Sequence, residues 1–314
     1  DVQICITDSA QLLASGGVSY LWTPSITLTD DTIANPLAFP IDTTEYIVNA
    51  TDINGCANSD TISVIVNPLP SAFAGNDVAI CSGDTTTLTA TGGLNYSWSP
   101  TDSLSNSLND ITQAFPIITT EYIITITDTN GCIQSDSIVV TVNELPIGDA
   151  VADVTICNGD STQLNAIGGD TYFWAPSNDL SDPNIADPWA TSTVTTNYSV
   201  LITDINGCTD TDTVLVTINN LPNISAGSDI QICIGDTTQL LVTGGDSYLW
   251  TPETGLSDDT SSNPTVTIND TTDYIVTGTD VNSCINSDTV SVIINPLPIA
   301  DAGNNVNICI DDTI

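Results

Sequence analysis

The sequence predicts an all-β fold, built as a tandem array of four β-sandwich repeats of 76 residues each. Three observations carry that expectation. Markers recur in phase without net insertion: Cys5, Cys81, Cys157, Cys233 and Cys309; Trp22, Trp98, Trp174 and Trp250; Cys56, Cys132, Cys208 and Cys284. Such a period signals a repeat architecture and overrides the roughly two domains that the chain length would otherwise suggest. Within each period apolar and polar residues alternate, as in Tyr122, Ile124 and Ile126. Turn signals such as Asn130-Gly131 separate the alternating runs, and helical spacing is absent throughout.

Pro-bearing joints at Asn67-Pro68-Leu69-Pro70, Asn143-Glu144-Leu145-Pro146, Asn219-Asn220-Leu221-Pro222 and Asn295-Pro296-Leu297-Pro298 set the boundaries. They give repeats over 1–70, 71–146, 147–222 and 223–298, with 299–314 opening a fifth. Pro fixes its own φ and pushes the preceding residue towards extended geometry, so the joints are expected to be short and stiff. At about 35 to 40 Å per repeat, the array is expected to be an extended rod of roughly 150 Å.

The second repeat shows the elements in order. Asp77 to Cys81 reads as a first strand, turning at Gly83-Asp84. Thr85 to Thr91 reads as the next, with Leu88 and Ala90 inward, closed by Gly92-Gly93. Asn95 to Ser99 follows, with Tyr96 and Trp98 on one face, and Pro100 ends it. A loop rich in Asp, Ser and Asn leads to a weaker strand around Gln113 to Pro116, then the Tyr122 strand with its turn, then Ser137 to Asn143. About seven short strands per repeat argue for two sheets packed face to face. The order Cys, Trp, Cys imitates an immunoglobulin domain imperfectly: here Cys81 closes a first strand and Cys132 follows a hairpin turn, whereas immunoglobulin cysteines lie mid-strand on facing sheets.

The chain has no Lys, no Arg and 39 acidic side chains, a formal charge of −39. Nucleic acid binding needs cations to neutralise phosphates, so it is excluded, and an anionic membrane surface nearly so. One sign of charge favours an extended, non-aggregating form. No run approaches the roughly 20 apolar residues that span a bilayer, so direct membrane insertion is not expected. An export signal and an anchor are expected outside this segment.

A repeat of this size is near the limit at which one core outweighs chain entropy, so staples or neighbouring repeats are expected to help. The nine cysteines fit that need and indicate an oxidising, extracytoplasmic compartment. With no His and no CxxC, they do not read as a metal site. Strand direction bears on their pairing. If the first strand runs down and the Tyr122 strand up, Cys81 and Cys132 lie at opposite ends of a repeat, roughly 20 Å apart at about 3.3 Å per residue. A disulfide needs Cα atoms within about 7 Å. Bonds between repeats are therefore expected, Cys5–Cys132, Cys81–Cys208 and Cys157–Cys284, leaving Cys56, Cys233 and Cys309 to partners outside the segment. A bond inside each repeat, such as Cys81–Cys132, stays open as the alternative.

Catalytic chemistry has little to work with. Without His or Lys only carboxylates can act as general bases, and almost every acidic position is echoed in the other repeats, unlike a singular active site. No enzyme activity is expected. Asp52, Asp128, Asp204 and Asp280 precede the hairpin turns, where Asp side chains close turns on local N–H groups; Ca²⁺ held by clustered carboxylates is the open alternative. Trp98 and its counterparts read as core. Trp189 is unmatched, with Leu37, Gln113 and Thr265 in its place, and is expected to be exposed, where it could stack on a sugar.

Several stretches carry a resemblance: Ala74-Gly75-Asn76-Asp77-Val78-Ala79-Ile80-Cys81-Ser82-Gly83-Asp84, Gly92-Gly93-Leu94-Asn95-Tyr96-Ser97-Trp98-Ser99-Pro100, Thr119-Thr120-Glu121-Tyr122 and Asp128-Thr129-Asn130-Gly131-Cys132. They look like the PKD-like and immunoglobulin-like repeats of Bacteroidetes cell-surface proteins, most of all the SprB-like gliding-motility adhesins. Two residues depart from the pattern, Thr7 for the Gly of the first turn and Ser283 for the Gly of the hairpin turn. The resemblance implies type IX secretion, display as extracellular filaments at the outer membrane, and partners in the surface motility and secretion machinery. It also implies adhesion to a substratum or surface polysaccharide through regions outside this segment. In the same way it makes Thr61, Thr85, Ser137, Ser161, Thr213, Thr237 and Thr289, each following Asp, candidate O-glycan acceptors. The expected function is a structural shaft segment of a cell-surface adhesin filament. A repeated carbohydrate-binding array held together by avidity, or a passive spacer of a secreted enzyme, are the alternatives.

Overall fold

The structure is a computed structural model and describes residues 1–303. Its regular elements are all strands, and the chain gathers into two compact units. One comprises Asp1–Pro146 with Asp204–Thr209; the other comprises Ile147–Thr203 with the chain from Asp210 onward. The opening of a fifth repeat, with Cys309, lies outside the described residues apart from 299–303.

The first unit holds two repeats of the same design. The strands of the first are β1 (Val2–Cys5), β2 (Ala10–Gln11), β3 (Ser19–Thr23), β4 (Leu37–Ala38), β5 (Thr44–Thr51) and β6 (Ala57–Asn67). Those of the second are β7 (Val78–Cys81), β8 (Thr86–Thr89), β9 (Asn95–Ser99), β10 (Ile111–Ala114), β11 (Thr120–Thr127) and β12 (Ile133–Asn143). In the second repeat β7-β12-β11-β9 form a four-stranded sheet, with β7 parallel to β12 and the other pairs antiparallel. The short pair β8–β10 forms the facing layer.

Alternation explains the core. In β11, Tyr122, Ile124 and Ile126 are fully buried while Glu121 and Ile123 face out. Across the sheet Tyr122 lies opposite Ile138, and Ile124 opposite Trp98. Leu88 and Ala114 from the short pair close the core over Trp98, whose indole N–H donates to the Asn109 carbonyl at 2.9 Å. The same bond, eleven residues ahead, is made by Trp22, Trp174 and Trp250. A buried indole needs such a partner, which accounts for the tryptophan at this position in each repeat.

The second unit repeats this order. Its four-stranded sheets comprise Val154–Cys157, Thr209–Asn219, Thr196–Thr203 and Thr171–Ala175, and then Ile230–Cys233, Ile285–Asn295, Thr272–Thr279 and Ser247–Thr251. Each covers its own apolar cluster, centred on Trp174 and Tyr198 or on Trp250 and Tyr274.

Three sequence expectations are corrected. The second repeat has six strands and not about seven, because the Asp/Ser/Asn-rich loop contributes only the single bridge Leu104↔Ala114. The weak strand is Ile111–Ala114 and not Gln113 to Pro116: Ile111 through Ala114 pair with Thr89 through Thr86, and Pro116 has no N–H to continue the ladder. The last strand begins at Ile133 and not Ser137, since Thr127 pairs with Ile133 and the hairpin zips up to its turn.

Thr7 and Ser283, the two departures from the repeat pattern, adopt φ of 79° and 67°, the conformation that Gly83 (93°) and Gly131 (83°) take at the matching places. A side chain there crowds its own backbone, most severely when β-branched. Thr7→Gly is expected to stabilise the chain by about 1 kcal/mol, and Ser283→Gly by somewhat less, in urea unfolding. A loss of stability in both would contradict this account.

Candidate functional site

The feature with the most chemistry is the set of cysteines at the repeat joints, and the hairpin turn places half of them. Asp128 Oδ1 accepts the N–H groups of Asn130 (2.8 Å) and Cys132 (2.9 Å), while its own N–H donates to the Cys132 carbonyl. One carboxylate thus supplies the acceptor that the turn's N–H groups would otherwise lack and holds Cys132 at a set angle. Asp52, Asp204 and Asp280 bond in the same way to Cys56, Cys208 and Cys284. These are turn-closing contacts. Among the described residues no group of three or more His, Cys, Asp or Glu side chains is placed to hold a metal ion.

The other half of the cysteines end the first strand of each repeat, where Cys81 pairs with Asn143 on the parallel neighbour. The structure bonds Cys5 to Cys132, Cys81 to Cys208 and Cys157 to Cys284, with Cα atoms 5.5, 5.6 and 5.5 Å apart. Each bond links one repeat to the next and closes a loop with a sequence separation of 127. Cys132, Cys208 and Cys284 are buried by it. Cys56 and Cys233, at the matching positions of the first and fourth repeats, are free and exposed.

A second fixture of the repeats leaves only a faint mark in the sequence. The Ala74 N–H donates to Asp136 Oδ2 (2.8 Å), Ala150 to Asp212 (2.8 Å) and Ala226 to Asp288 (2.9 Å), each across 62 residues. These carboxylates anchor the segment that enters the second, third and fourth repeats. The only sequence signal is the constant spacing, since a side chain-to-backbone bond needs no hydrophobic partner. The Ala150 N–H, and after it that of Thr213, holds the Asp212 carboxyl below its ordinary 3.8; the N–H groups of Ala226 and then Thr289 do the same for Asp288. A lowered folded value stabilises the fold above pH 3.8, and that contribution is lost as pH falls below it. Both groups are well solvated, so the effect is screened and small. Asp288→Asn is therefore expected to lower the urea midpoint at about pH 7 and to match the parent at about pH 2.5. A parent advantage that grew on acidification would contradict the assignment.

Trp189 is 49% exposed at the edge of the short pair, opposite Gln163. Thr61, Thr85, Ser137, Ser161, Thr213, Thr237 and Thr289 are all exposed.

No family model matches the chain, and no curated protein does. Among solved structures, it is similar to a titin I-band fragment, I67–I69, at 11% identity and a TM-score of 0.39, covering 72% of this chain and 98% of that one. Immunoglobulin domains 1–5 of Sidekick-1 align at 14% identity and a TM-score of 0.29, covering 94% and 78%. The insect immune protein hemolin aligns at 13% and 0.29, covering 94% and 98%. Similarity at this level carries no inference about what this chain does.

Proposed function

We propose that the chain is a structural shaft segment of a long cell-surface adhesin filament, with display and motility of the kind found in gliding adhesins. The observation that carries the reading is the disulfide at each of the three successive joints, Cys5–Cys132, Cys81–Cys208 and Cys157–Cys284. Covalent clamps between repeats add nothing to a binding pocket but resist separation along the chain. They also favour an oxidising compartment outside the cell. The substratum or polysaccharide partner would be met by other parts of the filament, and O-glycans on the exposed Asp-Thr and Asp-Ser sites would fit surface display.

Immunogold labelling of intact, unpermeabilised source cells with antibodies to this chain tests the proposal. Gold along filaments standing off the outer surface is the expected result. Label found only after permeabilisation would overturn it.

A further inference from the structure

Asn54-Gly55, Asn130-Gly131 and Asn206-Gly207 form the tips of three hairpins, and Asn282-Ser283 the tip of the fourth. All four asparagines are exposed. An asparagine followed by glycine carries a latent reaction of its own, because its carboxamide carbon and the next main-chain nitrogen can close a five-membered ring. Glycine has no Cβ to shield that nitrogen. In a folded chain, closure then depends on how firmly the two reacting groups are held.

The four turns hold them differently. In the first and third repeats the carboxamide donates to the turn's own carboxylate, Asn54 to Asp52 at 3.3 Å and Asn206 to Asp204 at 3.4 Å. The N–H groups of Gly55 and Gly207 donate to the Asp52 and Asp204 carbonyls, each at 3.1 Å. In the second repeat the main-chain N–H of Asn130 is bonded to Asp128, but its carboxamide has no partner among the described residues. The Gly131 N–H reaches the Asp128 carbonyl only at 3.3 Å, beyond the usual range of about 2.7–3.2 Å. Gly131 is itself exposed, and a Cβ built on it would meet nothing within 4 Å, so solvent reaches its nitrogen. In the fourth repeat the Asn282 main-chain N–H is bonded to Asp280, and its carboxamide is as free as that of Asn130 among the described residues. There the next residue is Ser283, whose N–H is held at 3.0 Å and whose side chain crowds the nitrogen.

We propose that Asn130 is a site of spontaneous deamidation, which converts the turn that places Cys132 to an acidic form with time. The Gly131 nitrogen gives its proton to solvent base and bonds to the Asn130 Cγ, and the carboxamide nitrogen leaves as ammonia. Water then opens the succinimide ring. Breaking the nitrogen–Cγ bond leaves aspartate; breaking the bond to the main-chain carbon leaves isoaspartate, with an extra methylene in the main chain. One water enters, one ammonia leaves, and nothing is oxidised or reduced. Either product adds a carboxylate beside Asp128. Isoaspartate also lengthens the chain between Asn130 and Cys132, whose N–H groups share Asp128 Oδ1. The Cys5–Cys132 bond keeps the joint linked while the change accumulates. The inference is independent of where the chain is displayed.

Ageing the full chain in mildly alkaline water enriched in heavy oxygen, followed by peptide mapping, tests it. Each deamidated asparagine takes up one solvent oxygen, and fragmentation tells isoaspartate from aspartate. Asn130 is expected to react fastest and Asn54 and Asn206 more slowly, with Asn282 at least about tenfold behind Asn130 because a side chain shields the nitrogen after it. Two variants exchange the following residue. Gly131→Ser should slow Asn130 to the rate of Asn282, and Ser283→Gly should speed Asn282 at least about tenfold. Ser283→Gly relieves a residue at a φ of 67°, so it folds and decides the matter even if Gly131→Ser does not. An Asn130 no faster than Asn282, Asn54 or Asn206 overturns the proposal. So does an unchanged rate at Asn282 in Ser283→Gly, or conversion of Asn130 confined to the urea-unfolded chain.

Discussion

Pulled between Asp1 and Gly303, the oxidised chain is expected to reach no more than roughly 180 Å, and the reduced chain roughly 1,000 Å, at about 3.5 Å per residue. The limit follows from which cysteines are joined. The shortest covalent route runs from Asp1 to Cys5, crosses to Cys132, follows the backbone to Cys157, crosses to Cys284 and continues to Gly303. That route contains only about 48 residue steps, against about 300 along the backbone. Unfolding a repeat therefore releases almost no length while the bonds hold. Single-molecule stretching with handles at both ends, with and without a reductant, reads the difference directly. An oxidised contour beyond roughly 300 Å would show that force does not follow this route.

Trp98→Ala is expected to cost about 3–5 kcal/mol, enough to unfold the second repeat if it stood alone. The side chain is 1% exposed, packs under Leu88 and Ala114, and its N–H bond to Asn109 is lost as well. Trp189→Ala is expected to change stability by less than about 0.5 kcal/mol, because that indole is half exposed at a sheet edge. Urea unfolding followed by circular dichroism separates the two. Equal losses would mean that the burial of these residues is not what sets their contribution.

The parts of the fold that were legible in the sequence are those where burial forces a pattern. Asn95–Ser99 shows its bounds because Tyr96 and Trp98 face in and Pro100 stops the strand. Leu88 and Ala90 likewise mark the inward face of the short pair. The extension of the last strand back to Ile133 was hidden. Ile133, Gln134 and Ser135 are exposed, so backbone bonds and one hydroxyl contact between Ser135 and Thr125 hold them, and no alternation reports it. The Asp136–Ala74 anchor was hidden for a related reason, as one more Asp among 39 acidic residues carries no contrast. Strand direction was informative about the cysteines: β7 runs opposite to β11, which separates Cys81 from Cys132, and the structure has Cys81 bonded to Cys208.

The three closed loops overlap, since Cys81 lies within the loop of Cys5 and Cys132, and Cys157 within that of Cys81 and Cys208. Any single backbone cut between Cys5 and Cys284 therefore falls inside at least one loop, and both fragments stay attached. A protease would have to cut this molecule at least twice before any piece of that region could drift away.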